Sequence, residues 1–292
     1  MKTFKLYNEV EIPCIGYGTY RTPNNEEGYL TIQEAIRAGY RHIDTAQGYN
    51  NEDLIGRAIK ESGIPRSDFF ITTKIANVNQ GYQSTLDSFE ESLKKLGSNY
   101  FDLLLIHWPI PVGHDHDWKE LNIQTWKAME WLYKEKKVRA IGVSNFLIHH
   151  LDNLLENIKI IPMVNQLEFH MKYQQRDIVA YCKTKNILVE SWGPLMRGAS
   201  NGNQILEAIA RNHNKDVGQI SIQYCLQKNI LPLPKTSNTS RMKTNQEVFD
   251  FTLTDGEIAL MDSCNTSNCY VFHPDRNHEW QETINKMNEV SK

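Results

Sequence analysis

Short apolar runs alternate along this chain with longer stretches whose apolar residues recur every three or four positions. The runs are "CIGYG" (14–18), "RHIDT" (41–45), "FFITTK" (69–74), "DLLLIH" (102–107), "VRAIGVS" (138–144), "MVNQLE" (163–168), "ILVESW" (187–192) and "ILPLP" (230–234). Their length and their β-branched or apolar content predict buried strands. Between them, Tyr29, Ile32 and Ile36 fall at i, i+3 and i+7, and Gly39 follows as a stop. Leu86, Phe89, Leu93 and Leu96 repeat the pattern before Gly97, and Leu54, Ile55, Ala58 and Ile59 form a third stripe closed by "SGIP". These are amphipathic helices whose apolar faces are core.

Eight strand segments at intervals of roughly 20–40 residues, with helical material between, match eight βα units. An open dinucleotide-binding sheet would carry G-x-G-x-x-G after an early strand, whereas "GYGTYRT" supplies only G-x-G and leads into loop. The expectation is therefore an α/β protein, a single (β/α)8 TIM barrel domain over residues 1–292. An N-terminal β-hairpin around Asn8 ("FKLYNEVEIP") precedes the first barrel strand. The tail after about residue 262, polar and aromatic without periodicity, is expected to form a C-terminal loop over the active site.

Composition narrows the classes. The 292 residues are 40% hydrophobic and 23% charged, with a formal net charge of −3. That balance offers no basic surface for nucleic acid. The densest basic run, "KEKK" (134–137), is expected to be the solvated end of a helix. No apolar run reaches the ~18–20 residues of a membrane span, and the charged N-terminus is unlike a secretory signal. Five cysteines, none in C-x-x-C, point to reduced thiols and a cytoplasmic protein.

In such barrels the site lies at the C-terminal ends of the strands. Strand two ends at Asp44, with Tyr49 in the following loop; strands three and four end at Lys74 and His107. Taken singly, each has a bland reading as turn former or packing residue. Together they suit proton transfer to a carbonyl oxygen. A phenol with an ordinary pKa of ~10 is a weak acid. A neighbouring Lys74 ammonium is expected to lower that pKa, with Asp44 keeping the ammonium charged. Neutral His107 would orient the carbonyl. No side chain supplies hydride, so a cofactor must. Ser144-Asn145 and Gln166, on strands five and six, offer hydroxyl and amide groups for a carboxamide, and Trp192 offers a flat face for an aromatic ring. "PKTSNTSR" brings Lys235, Thr and Ser hydroxyls and Arg241 to the start of the last helix, where a ribose phosphate could bind.

The segments "RHIDTAQGYNNEDLIGRAI", "FFITTK", "DLLLIHWP", "GVSNF", "NQLEFH" and "PKTS…R…N…VFDF.LT" resemble the aldo-keto reductase family in order and spacing over nearly the whole chain. "ESWGPL" and the late "HPD" are similar to the bacterial 2,5-diketo-D-gluconate reductase-like branch. The resemblance implies NADPH-dependent reduction of small aldehydes, α-dicarbonyls or keto-sugars. Tyr49 would be the general acid, Lys74 and Asp44 its tuning pair, and His107 the carbonyl-orienting group. Ser144, Asn145, Gln166 and Trp192 would hold the nicotinamide, with Gly193 and Leu195 of "ESWGPL" also at the cofactor. Lys235, Thr236 and Arg241 would take the 2′-phosphate and Asn245 the adenine. Tyr20, Trp108, His107, Trp192 and the tail from Tyr270 to His273 would line the substrate pocket. A monomer without metal, nucleic acid or membrane partner is expected. Two rival readings stand beside it. "GHDHD" (113–117) has metal-ligand character, as a barrel hydrolase would require, but lies in a polar loop without further ligands on other strand ends. A non-catalytic redox-sensing subunit would bind the dinucleotide without turnover.

Overall fold

The computed structural model describes residues 2–266, 269 and 273–276. It opens with an antiparallel hairpin of β1 (Thr3–Lys5) and β2 (Glu11–Pro13), paired Phe4 to Ile12. Eight parallel strands follow: β3 (Tyr17–Gly18), β4 (His42–Asp44), β5 (Phe70–Ile75), β6 (Phe101–Ile106), β7 (Val138–Ser144), β8 (Val164–Glu168), β9 (Leu188–Trp192) and β10 (Leu231–Leu233). They are hydrogen-bonded in chain order from β3 to β10. Gly16 and Gly18 donate to the carbonyls of Pro232 and Pro234 at 3.1 Å each, joining the first strand to the last. The result is a (β/α)8 barrel, with every predicted strand in place.

The connecting helices are α1 (Glu26–Arg37), α2 (Glu52–Glu61), α3 (Tyr82–Leu96), α4 (Trp118–Lys134), α5 (Ile148–Leu155), α6 (Arg176–Thr184), α7 (Gln204–His213), α8 (Val217–Gln227), α9 (Thr239–Thr244) and α10 (Asp255–Asp262). Caps set several ends. Asn25 accepts from the Gly28 amide at the start of α1, and Asp216 and Thr254 form capping boxes with Gln219 and Glu257. Gly97, at φ 65°, ends α3 in the left-handed conformation that glycine adopts freely. "KEKK" is the exposed end of α4 and the turn after it. α9 is not the last helix, as the sequence reading had it. α10 follows, its onset marked by Thr254 and Glu257.

Period-two alternation divides each strand between two cores. In β6, Leu104 and Ile106 face the helix layer, whereas Leu103 and Leu105 enter the barrel. The interior cluster contains Phe70, Leu103, Leu105, Ala140, Val164, Leu231 and Leu233, together with Leu6 and Ile12 from the hairpin. The hairpin therefore plugs the N-terminal end of the barrel, leaving the C-terminal end for chemistry. Gly142 in β7 permits this packing, because a Cβ there would stand 2.5 Å from the Val164 carbonyl oxygen. Buried Asp102 ties the base together by accepting from Arg66 at 2.8 Å, Arg139 at 2.7 Å and the Ile71 amide at 2.9 Å.

Candidate active site

Asp44, Lys74, His107, Ser144, Asn145, Gln166 and Trp192 come from six successive barrel strands or the first residues beyond them, and all meet at the C-terminal end. At the centre is an ion pair. Lys74 is fully buried, and its ammonium donates to both Asp44 oxygens, at 2.7 and 2.8 Å, and to the Thr45 carbonyl at 2.8 Å. All three ammonium hydrogens are thus used. Burial pulls the Lys74 pKa down, but attraction to Asp44 and Tyr49 outweighs it, and the net displacement is upward. The lysine is cationic throughout the neutral range.

Tyr49 sits in the short 3-10 turn Gln47–Tyr49 after β4, closed by Asn50 in the left-handed conformation. Asn51 ties that turn to its surroundings: it accepts from Thr45 Oγ1 at 2.7 Å and donates to the Thr19 carbonyl at 3.1 Å. Lys74 Nζ lies 5.0 Å from the Tyr49 ring centroid, and the His107 ring meets Tyr49 edge-on at 5.6 Å. Glu52 turns the other way, accepting from Thr73 Oγ1 at 2.6 Å, so it supports the wall.

The electrostatics differ from the sequence expectation in one respect. Lys74 does pull the Tyr49 pKa down, but burial is the larger effect and the phenol is pushed up to about 12. Tyr49 is therefore a protonated acid across the neutral range, not a partly ionised one. His107 is displaced well below its ordinary 6.5, first by burial and then by the Lys74 charge, and is a neutral imidazole.

The groups expected to grip a carboxamide are tightly interlinked. Ser144 Oγ donates to the Gln166 carbonyl at 2.9 Å, and Asn145 Nδ2 donates to the His107 carbonyl at 3.0 Å and to Ser144 Oγ at 3.1 Å. Trp192 is held through its indole N–H, which donates to Asn145 Oδ1 at 2.8 Å. Trp192 is thus pinned to the amide beside it as well as offering a face. Asn145 sits at φ 64°, a left-handed position that asparagine tolerates.

After β10, Lys235 and Arg241 are exposed and Thr236 is buried. No acid among the described residues pairs with either cation. The Thr236 carbonyl accepts from Tyr17 Oη at 2.6 Å, anchoring this loop to the first strand. Asn245 is buried, with its side-chain amide beside the Tyr40 hydroxyl. Two exposed cations with no acid beside them among the described residues suit the phosphate end of a dinucleotide.

Two residues escaped the sequence reading. Glu190, fully buried in β9, lies next to Gln166. Arg197 follows Gly193 and Leu195 in a loop where Gly193, Met196, Arg197 and Gly198 all have positive φ. Its guanidinium lies 6.0 Å from the ring centroid of Tyr20, which in turn lies 5.1 Å from that of Tyr49. The glycines of "GPLMRG" were the available signal for that loop.

Tyr20 is 47% exposed at the mouth, and the Trp108 carbonyl accepts from Gln80 at 2.7 Å. Tyr270, Val271 and Phe272, expected to line the pocket, lie outside the described residues. His273–Arg276 is described, with Asp275 against α5: it accepts from His149 Nε2 at 3.0 Å, and buried His150 Nε2 lies 3.0 Å from the same oxygen. These three side chains have the makings of a metal site. However, the Leu147 amide donates to His150 Nδ1 at 3.0 Å, so the proton of neutral His150 is on Nε2, facing Asp275. In "GHDHD", His114 pairs with Asp117 at 3.0 Å, three residues away in the same loop.

Comparison with known proteins places the chain in a family. The aldo/keto reductase family profile matches residues 14–266, and the chain belongs to that family. It is an oxidoreductase of the carbonyl-reducing class. Among relatives, glyoxal reductase of Bacillus subtilis (strain 168) is 45% identical over 263 residues, covering 90% of this chain and 92% of that one. The 9,11-endoperoxide prostaglandin H2 reductase of Trypanosoma cruzi (strain CL Brener) is 46% identical, covering 89% and 90%. Among solved structures, the aldo-keto reductase MGS-M4 from a Medee basin deep-sea metagenome library superposes with a TM-score of 0.88 at 43% identity, covering 93% of this chain and 98% of that one. A Bombyx mori aldo-keto reductase in complex with NADP gives 0.85 at 33% identity, covering 94% and 96%. Among the described residues, no helix is long and apolar enough to cross a membrane.

Proposed function

We propose that this protein reduces small aldehydes and α-dicarbonyls to alcohols with NADPH, Tyr49 serving as general acid. The observation that carries the proposal is the buried Lys74–Asp44 pair beneath a protonated Tyr49, with neutral His107 on the other side. NADPH, when bound, supplies the hydride.

The chain's own residues account for the rest. His107, neutral and hydrogen-bond competent, orients the carbonyl oxygen toward Tyr49. Tyr49 delivers its proton as negative charge develops on that oxygen. Lys74 stabilises the resulting phenolate, and Asp44 keeps Lys74 charged and in place. Ser144, Asn145, Gln166 and Trp192 would hold the nicotinamide end, with Gly193 and Leu195 beside it. Lys235, Thr236 and Arg241 would hold the 2′-phosphate, and Asn245 the adenine. Aromatic Tyr20, Tyr49 and Trp108 at the mouth suit small, flat carbonyls. The likeness to a glyoxal reductase supports α-dicarbonyls as the first class to test. One barrel domain acting as a monomer suffices for this chemistry.

The test is NADPH absorbance in the presence of glyoxal, methylglyoxal, small aldehydes and keto-sugars, with NADH in parallel. Consumption that depends on the carbonyl and prefers NADPH is expected. Tight NADPH binding with no turnover on any of them would replace this reading with that of a dinucleotide sensor.

A further inference from the structure

A second buried carboxyl lies beside the Lys74–Asp44 pair. Glu190 Oε2 accepts from Gln166 Nε2 at 2.8 Å, and the same nitrogen donates to Asp44 Oδ2 at 2.8 Å. The strand pairing makes this possible, because Gln166 of β8 and Glu190 of β9 are register partners. A primary amide nitrogen carries two hydrogens, and here two carboxyl oxygens take both. Turning the amide over would set its oxygen against the Asp44 carboxylate, which can only accept. Gln166 is therefore locked with Oε1 directed away from both acids, and no group among the described residues donates to that oxygen.

We propose that Glu190 is a positioning residue that, with Asp44, holds the Gln166 amide oxygen toward the amino group of the nicotinamide carboxamide. The inference rests on the cofactor reading above. It assigns to this acid the orientation of the ring, and hence the face and angle at which hydride leaves. The chemistry of the neighbours agrees. Asn145 and Ser144 spend their hydrogens on each other and on main-chain carbonyls, so Gln166 Oε1 is the open acceptor among the three side chains.

The protonation of Glu190 follows from its surroundings. Its Oε1 is buried without a partner, a poor environment for a carboxylate oxygen. Burial, then the charge of Asp44, push its pKa up to about 8, against the pull of the Gln166 hydrogen bond and Lys74. Asp44 from β4, Lys74 from β5 and Gln166 from β8 face it, and Leu231 of β10 is its register partner on the other side. At neutral pH it is a neutral acid whose carbonyl oxygen accepts from Gln166.

The experiment compares wild type, Glu190→Met and Glu190→Gln, with tryptophan fluorescence reporting the binding of NADPH and of 2′-phospho-ADP-ribose, which lacks the nicotinamide. Glu190→Met removes the acceptor and is expected to weaken NADPH roughly tenfold, the equivalent of one hydrogen bond. The fragment should bind all three proteins alike. Glu190→Gln, whose amide oxygen accepts the same bond, should restore NADPH affinity, and kcat should follow the same order. Equal loss of NADPH and fragment in Glu190→Met would show a merely structural role and overturn the inference. So would unchanged NADPH affinity in Glu190→Met, or failure of Glu190→Gln to rescue. If the wild type itself binds no NADPH, the cofactor reading fails instead, and the two failures are distinguishable.

Discussion

Replacing Lys74 with methionine removes one charge from the buried pair while keeping an unbranched stem in its space. The ammonium makes three hydrogen bonds, two to Asp44 and one to the Thr45 carbonyl. Without it, Asp44, only 4% exposed, keeps a single side-chain donor among the described residues, Gln166. An uncompensated buried charge of this kind costs about 3–5 kcal/mol. Asp44→Asn strands the ammonium in turn and should cost a similar amount. The double variant Lys74→Met/Asp44→Asn leaves no stranded charge, so its loss should fall short of the sum by about 2–3 kcal/mol. Urea unfolding at neutral pH, followed by tryptophan fluorescence, reads all four proteins, with an unchanged m-value confirming that only stability has moved. The raised pKa of Lys74 fixes the pH window. Its contribution is fully present below the ordinary 10.5 and is lost only as pH rises through the higher folded value. Additive losses, or a cost below about 1 kcal/mol for Lys74→Met, would refute the reasoning, because a fully desolvated pair cannot be broken so cheaply.

Four further outcomes are expected. Tyr49→Phe should lower kcat at least about a hundredfold while leaving NADPH affinity near wild type, as measured by absorbance and fluorescence. Leu105→Ala, at a fully buried position of the inner cluster, should destabilise the barrel by about 2–5 kcal/mol in urea unfolding. Asp102→Ala should cost about 2–4 kcal/mol, since it leaves two arginines and the Ile71 amide without their shared acceptor; kcat/KM, governed at the other end of the barrel, should hardly change. Glu190, with its folded pKa raised to about 8, binds a proton that the unfolded chain has released. Wild-type stability relative to Glu190→Gln should therefore fall by about 2 kcal/mol between about pH 6 and pH 8, and a flat difference would contradict the neutral acid.

The strands were legible because each is a short apolar run between turn residues, and their inward and outward residues alternate as a pleat requires. The helices around the first half were legible from stripes such as Tyr29, Ile32 and Ile36. α10 was not, since "DGEIALMD" is signalled by its capping box more than by any stripe. Placing chemistry at strand ends brought out Asp44, Lys74, His107 and Gln166, because a barrel turns separate strand ends into one surface. What the sequence does not carry is mutual burial. Lys74 adjacent to Tyr49 suggested a lowered phenol pKa, yet desolvation of the phenol is the larger effect. Glu190 reads as one polar residue inside "LVESW", and only the register of β8 with β9 puts it against Gln166. Arg197 depends on a run of left-handed residues that two glycines hint at without placing.

In the proposed reaction a protonated Tyr49 above the Lys74–Asp44 pair reduces carbonyls with NADPH. The most direct test is the rate of NADPH absorbance loss with glyoxal for wild type and Tyr49→Phe at matched cofactor saturation. Carbonyl-dependent consumption by the wild type and near-complete loss in the variant, with NADPH still bound, are expected. Equal rates in the two proteins, or a wild type that binds NADPH and never consumes it, would contradict the proposed reaction.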